Sequence, residues 1–348
     1  MLEGKTPKQA ARIRILDPAC GSGSFLIGAY QYLLDWYRDR YIADGVKKHR
    51  DVMYQGAAGT WRLAANERKR ILRDSIFGVD IDPQAVEVTK LSLLLKVLEG
   101  ETGQTLAIQP RLIQDRALPD LGGNIKCGNS LIAGDFYDNT ELPGLVEDDY
   151  HRVNAFDWDK GFPWMREAGR FDAVIGNPPY IRIQRIDHDQ ADYLFRVYET
   201  PASKTDLSQL FMEQSLKLVS DDGLVGFICT SQWLTTDYGK NMRRALSGGR
   251  LHEIVDFGSL PVFKNADTYP AIFILSNFEV ASMNVKTIGT IKGLNLKAIE
   301  DAPTKTIPLE SLRACRESYL SSLLTSRRAI RWIIASLTNA SLLAIVSS

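Results

Sequence analysis

Short apolar runs rich in β-branched residues alternate along this chain with stretches whose apolar positions recur every three to four residues. That alternation is expected of a mostly parallel sheet with helices on both faces. Seven strands are predicted, near Ile13–Asp17, Ile76–Asp80, Ile125–Cys127, Ala173–Gly176, Leu224–Cys229, Glu253–Phe257 and Ala271–Leu275, with helices over Ser24–Arg40, Pro83–Leu98 and Leu207–Val219. Asp82-Pro83 marks one helix start, because a carboxylate accepts from the free amides of a first turn and proline's fixed φ suits the first helical position. The pattern predicts a doubly wound α/β fold. A polar, Lys- and Arg-rich stretch, residues 39–74, is too long for a tight crossover and is expected to form a helical insertion. Beyond about Phe278 the rhythm weakens, so residues 1–278 are expected to form the main domain and 279–348 a C-terminal extension.

Composition changes this picture mainly by exclusion. Of the 348 residues, 45% are hydrophobic and 24% charged, ordinary for a chain that buries a large core. Lys and Arg total 42 against 42 Asp and Glu, so no overall basic field is available to hold a nucleic acid, and any DNA contact must be local or made by another module. Cys20, Cys127, Cys229 and Cys315 lie far apart, with no CxxC pair or His cluster, so no metal site and no disulfide framework are expected, and a cytoplasmic setting fits best. No stretch reaches the roughly 18 uninterrupted apolar residues of a membrane span. Residues 329–345 come closest but are interrupted by Arg331, Thr338 and Asn339.

The first strand runs directly into Asp17-Pro18-Ala19-Cys20-Gly21-Ser22-Gly23-Ser24-Phe25, where a helix begins. Glycines 21 and 23 let the backbone approach a ligand where a Cβ would collide, and a helix N-terminus offers unpaired amides to an anionic group. The alternative is a tight turn with no ligand. The second strand ends Gly78-Val79-Asp80-Ile81-Asp82-Pro83, which places an acid suited to a ribose diol at a strand's carboxyl edge. In dinucleotide folds that acid follows the glycine turn by about 20 residues, so here the insertion must loop out. Helix capping is the other role open to Asp80, though Asp82 suits it better.

The strand Phe171–Gly176 breaks into Asn177-Pro178-Pro179-Tyr180. Two prolines fix φ and remove two amide donors, leaving a stiff loop that presents acceptors. The Asn177 side-chain oxygen and the Pro178 carbonyl can both accept from one NH2 group, drawing a planar, conjugated amine toward tetrahedral geometry. An adenine amine needs this, since its lone pair is delocalised into the ring. Tyr180 can stack on the purine, worth roughly 1–3 kcal/mol, and in duplex DNA the base must first swing out of the helix.

On these residues the chain resembles the gamma class of amino-methyltransferases, specifically the adenine methylase domain of type II, IIG-like, restriction-modification enzymes. The resemblance runs over roughly residues 14–274 and implies a Rossmann-like, S-adenosylmethionine-dependent fold with a seven-stranded sheet. It implies cofactor contacts at Asp17, Ala19, Gly21, Gly23, Phe25, Asp80 and Ile81, and at Asn129 and Ser130 within Ile125–Leu131, the adenine-end motif. Asn177, Pro178, Pro179 and Tyr180 take the catalytic role, and Phe263 falls where the family offers a second aromatic wall for the flipped base, though it reads equally as core. Arg182 and Arg185 are candidate phosphate contacts; Lys240, Arg243 and Arg244 form a second basic group more in keeping with a solvated face. Little more than a dozen residues precede Asp17, and no nuclease carboxylate cluster is legible. The chain is therefore expected to be a fragment or split gene product whose last 70 residues open a target recognition region, working with double-stranded DNA and a separate recognition or nuclease module.

Two rivals remain open from sequence. Asn-Pro-Pro-Tyr also serves methyltransferases acting on a protein glutamine amide or on the amine of an RNA base. A non-catalytic cofactor-binding or DNA-binding subunit is the other.

Overall fold

The computed structural model describes residues 2, 4–56, 59–99, 118–138, 152–263, 269–292 and 294–308. The strands are β1 (Ile15–Asp17), β2 (Met53–Gln55), β3 (Trp61–Leu63), β4 (Ile76–Asp80), β5 (Ile125–Cys127), β6 (Phe171–Gly176), β7 (Val219–Thr230), β8 (Leu251–Asp256), β9 (Pro270–Ser276), β10 (Ser282–Thr287) and β11 (Thr304–Pro308). The longer helices are α1 (Ser24–Asp44), α2 (Ala65–Ser75), α3 (Pro83–Leu98), α4 (His188–Val197), α5 (Leu207–Leu218) and α6 (Lys240–Leu246). No described helix is long and apolar enough to cross a membrane.

Among the described residues nine strands form one sheet in the order β11-β10-β8-β9-β7-β6-β1-β4-β5. The run from β5 to β7 is parallel throughout, β9 inserts antiparallel between β7 and β8, and β11 closes the far edge antiparallel to β10. Strands buried on both faces carry apolar side chains at every position, and here alternate residues feed two separate cores. Ile15, Ala173, Ile175 and Val255 pack with α1 and α3 residues such as Leu26, Leu33 and Leu93. Leu16, Val174, Phe227 and Ile254 pack on the opposite face with Leu210 and Met212 of α5. The fold is the expected doubly wound one.

Three expectations need correction. Residues 39–74 are not all helical. Helix α1 runs on to Asp44 and ends at Gly45, whose φ is +99°; β2 and β3 then pair antiparallel, Met53 with Leu63 and Gln55 with Trp61. Met53, Tyr54 and Trp61 are good strand formers brought together by a turn that includes Gly56 and Gly59, a local signal masked by the surrounding charges. The sheet also has nine described strands instead of seven and does not stop at residue 278. β10 pairs parallel with β8, Asn284 opposite Glu253, and β11 adds to it. The alternation Met283, Val285 inward on one face and Asn284, Lys286 on the other hid β10, because a buried polar pair, Asn284 and Glu253 at 3.1 Å, breaks the apolar pattern. Residues 309–348, including Cys315 and the 329–345 stretch, lie outside the described residues.

Candidate active site

The chain leaves β1 for α1 and β4 on one side, while β6 lies on the other. That reversal makes the carboxyl ends of β1 and β6 a switch point, where open α/β sheets form their ligand crevice. β1 and β6 are in register as Ile15 with Ala173 and Leu16 with Val174, so the next residues along, Asp17 and Ile175, stand level. The glycine turn and the proline loop thus begin side by side. A Cβ built on Gly176 would lie 2.6 Å from Asp17 Oδ1 and 3.1 Å from its Cγ. Only glycine lets the proline loop start in contact with that carboxylate.

Asp17 is buried, and its Oδ1 accepts from the Ala19 amide at 3.0 Å. Its Oδ2 is buried without a hydrogen-bond partner. Burial, reinforced by the neighbouring charge of Asp80 and opposed by the Ala19 amide, pushes its pKa up to about 8. An orphaned, poorly solvated carboxyl oxygen of this kind fits a cationic ligand group, whose charge would draw the carboxyl to its ionised form. Gly21 and Gly23 adopt φ of +51° and +82°, and Gly23 caps the 21-residue α1 with no side-chain bond, leaving first-turn amides available.

Asp80 ends β4 beside this turn. Its Oδ2 accepts from the Gly21 amide at 2.7 Å and its Oδ1 from the Asp82 amide at 3.0 Å. Asp82 itself caps α3, accepting from the Gln84 amide at 2.8 Å. Thr89, one helical stretch further along α3, donates its hydroxyl to the Gly21 carbonyl at 2.7 Å. Its side chain also sits 2.9 Å from where a Cβ of Gly23 would be. Nothing in its local sequence marks Thr89, since its place depends on how α3 lies across the turn. On the other side, the Ser130 hydroxyl donates to the Pro18 carbonyl at 2.6 Å, fastening the Asn129-Ser130 segment to the same turn. Asn129 is half-buried and its side-chain oxygen accepts from the Leu131 amide. Ile81 is 48% exposed, whereas Phe25, in the first turn of α1, is buried in the core. The structure thus gathers Asp17, Ala19, Gly21, Gly23, Asp80, Asn129 and Ser130 around one turn and sets Phe25 into the packing beneath it.

In the proline loop, the Tyr180 hydroxyl donates to Asn177 Oδ1 at 2.6 Å and lies 3.1 Å from the Ile228 carbonyl at the end of β7. Burial raises the Tyr180 pKa well above the usual phenol range, so the hydroxyl keeps its proton. Phe263 stands 6.3 Å from Tyr180, ring to ring, at an interplanar angle of 69°. The loop is pinned from the far side, where the Ile183 amide donates to the Thr205 carbonyl and the Leu207 amide to the Ile181 carbonyl, each at 2.9 Å. Asp206, between them, caps α5. Arg182 and Arg185 are exposed on the rim. Of the second basic group, Arg243 donates to the Trp233 and Thr236 carbonyls at 2.6 and 2.8 Å, which commits it to holding the loop after β7. Among the described residues no group of three or more His, Cys, Asp or Glu side chains gathers where it could hold a metal ion.

Comparison with known proteins follows the same lines. A family model described as the Eco57I restriction-modification methylase matches residues 74–263, and one described as N-6 DNA methylase matches residues 5–115. The chain is 32% identical over 279 residues to the type II restriction enzyme and methyltransferase RM.Eco57I of Escherichia coli, a match covering 79% of this chain and 26% of that protein. Among solved structures, a nuclease-deletion mutant of the Type ISP restriction-modification enzyme LlaGI, in complex with a DNA substrate mimic, aligns with a TM-score of 0.53 at 17% identity, over 95% of this chain and 25% of that one. The Type IIL enzyme MmeI in complex with DNA aligns with a TM-score of 0.52 at 15% identity, over 86% and 35%. The chain spans about a quarter to a third of the length of these relatives.

Proposed function

Because the chain belongs to the Eco57I restriction-modification methylase family, we propose that it transfers a methyl group from S-adenosylmethionine to the N6 amine of adenine in double-stranded DNA. It would serve as the modification part of a restriction-modification or phage-defence system, in the cytoplasm, together with target recognition or nuclease modules. The observation that carries this reading is the contact of Gly176 with the Asp17 carboxylate, which sets an amine-accepting loop against a cation-accepting turn.

The cofactor supplies an electrophilic methyl on a sulfonium. The chain's own residues do the rest. Asp17 Oδ2 would hold the cofactor's cationic amino-acid end, the open amides at the start of α1 its carboxylate, Asp80 its ribose hydroxyls, and Asn129 and Ser130 its adenine. Asn177 Oδ1 and the Pro178 carbonyl accept the two hydrogens of the target amine and free its lone pair for in-line attack. Asn177 Oδ1 already accepts from Tyr180, so the incoming amine uses the second lone pair of that oxygen, and Tyr180 holds the amide plane fixed meanwhile. The ring of Tyr180, with Phe263 beyond it, supplies the apolar wall for the flipped base, and Arg182 and Arg185 meet phosphates at the rim. Positioning and pre-aimed dipoles account for the acceleration.

Incubation of the chain with labelled S-adenosylmethionine and mixed-sequence duplex DNA is expected to label adenine. Asn177→Ala is expected to lower that rate about 10²- to 10³-fold, the range for removing one preorganised hydrogen-bond partner of a transition state. Label on a protein glutamine amide or an RNA base would move the assignment to another acceptor. A folded chain that binds the cofactor and labels none of the three would refute it.

A further inference from the structure

Asn154 is the one non-glycine residue with a left-handed backbone among the described residues, at φ +46°. Asparagine tolerates that region better than most residues, but the conformation still needs a reason to persist. Here it makes one residue bridge two strand ends. The Asn154 carbonyl accepts from the Asn129 amide at 2.6 Å, part of a short parallel pairing of Asn129 with Ala155. The side-chain amide of Asn154 points the other way and donates to the Ile81 carbonyl at 3.2 Å and to Cys127 Sγ at 3.2 Å. Main chain and side chain of one residue thus tie Ile81, which follows Asp80 at the end of β4, to the segment after β5, which carries Asn129 and Ser130. Phe156 anchors the clasp from below, its amide donating to the Ile132 carbonyl at 2.8 Å and its ring filling the space a Cβ on Gly128 would need.

We infer that Asn154 is a positioning residue for the adenosine half of the cofactor, fixing the gap between the ribose-binding and adenine-binding segments. The inference rests on the cofactor assignment above and extends it to a residue outside the glycine turn, the acidic strand end and the proline loop. Asn154→Gly isolates the side chain, since glycine keeps the left-handed backbone and the carbonyl bond to Asn129. Asn154→Asp replaces the donor with a carboxylate facing a carbonyl oxygen. Calorimetry is expected to show about ten-fold weaker binding of S-adenosylmethionine to both variants, the size that follows from losing one or two neutral hydrogen bonds that preorganise a site. 5′-Methylthioadenosine, which carries only the adenosine half, is expected to weaken by the same factor. Turnover at saturating cofactor stays as in the wild type and the melting temperature of the cofactor-free chain falls by no more than a few degrees, as the loss of one or two neutral hydrogen bonds requires, whereas a merely structural role would lower turnover as well. Unchanged affinity in Asn154→Gly, or turnover at saturating cofactor falling with the affinity, would overturn the clasp alone. A wild-type chain that binds no S-adenosylmethionine would overturn the cofactor assignment and the clasp with it.

Discussion

Replacing Gly176 with alanine tests the juxtaposition on which methyl transfer depends. The new Cβ would stand 2.6 Å from Asp17 Oδ1, where ordinary van der Waals contact begins at 3.4 Å. Relief therefore takes about 0.8 Å of movement. Asp17 cannot give way cheaply, being buried and bonded to the Ala19 amide, and both strands are held in register with each other and with β4 and β7. The displacement falls instead on residue 177 onward, or on the glycine turn. Overpacking of this kind costs about 1–3 kcal/mol of stability, a loss of several degrees in melting temperature for a domain of this size. A misplacement approaching 1 Å between reacting groups costs on the order of 10²-fold in rate. Gly176→Ala is thus expected to remain folded, as followed by circular dichroism on heating, and to lose methyl transfer at least ten times more severely than cofactor affinity. A variant with wild-type stability and wild-type turnover would show that Gly176 and Asp17 are not in contact, and the reasoning would fail.

The buried Asp17 makes a second prediction through linkage. With a pKa of about 8 against an ordinary value of 3.8, its carboxyl is protonated in the folded chain at pH values where the unfolded chain has released the proton. Folding takes up a proton in that window, so this residue's contribution declines as pH rises from about 4 to about 8 and is fully lost above. Asp17→Asn, which cannot ionise, is expected to gain on the wild type by about 1 kcal/mol per pH unit across that window, in denaturant titrations of the cofactor-free chain, while losing stabilisation by added S-adenosylmethionine. Parallel pH profiles for the two chains would contradict the burial argument. Tyr180 separates stacking from hydroxyl bonding: Tyr180→Ala is expected to weaken binding of DNA carrying an extruded adenine by roughly 1–3 kcal/mol, whereas Tyr180→Phe keeps that affinity and lowers turnover by freeing the Asn177 amide. Equal loss of DNA affinity in both variants would assign the binding to the hydroxyl instead of the ring.

The sequence by itself determined the elements whose signals are local. Strand and helix periodicities placed β4, β5, α3 and most of α5 to within a residue or two, and Asp82-Pro83 marked its helix start through capping chemistry that needs no distant partner. Gly21, Gly23 and the Asn177–Tyr180 loop were legible because backbone freedom and proline stiffness are properties of the residues themselves. What the tertiary structure decided are the relations between segments. That Asp17 touches Gly176, that Thr89 reaches back to the Gly21 carbonyl, that Asn154 clasps two strand ends, and that β10 continues the sheet past residue 278 all follow from long-range register and from how helices lie across the sheet. Arg243 and Phe25 make the same point from the other side: a cation that reads as a surface charge is spent on two backbone carbonyls, and a ring aligned with a cofactor motif is packed into the core. Hydrogen bonds and packing between residues far apart in the chain form only when folding closes those loops, so no window of sequence around any one of these residues contains them.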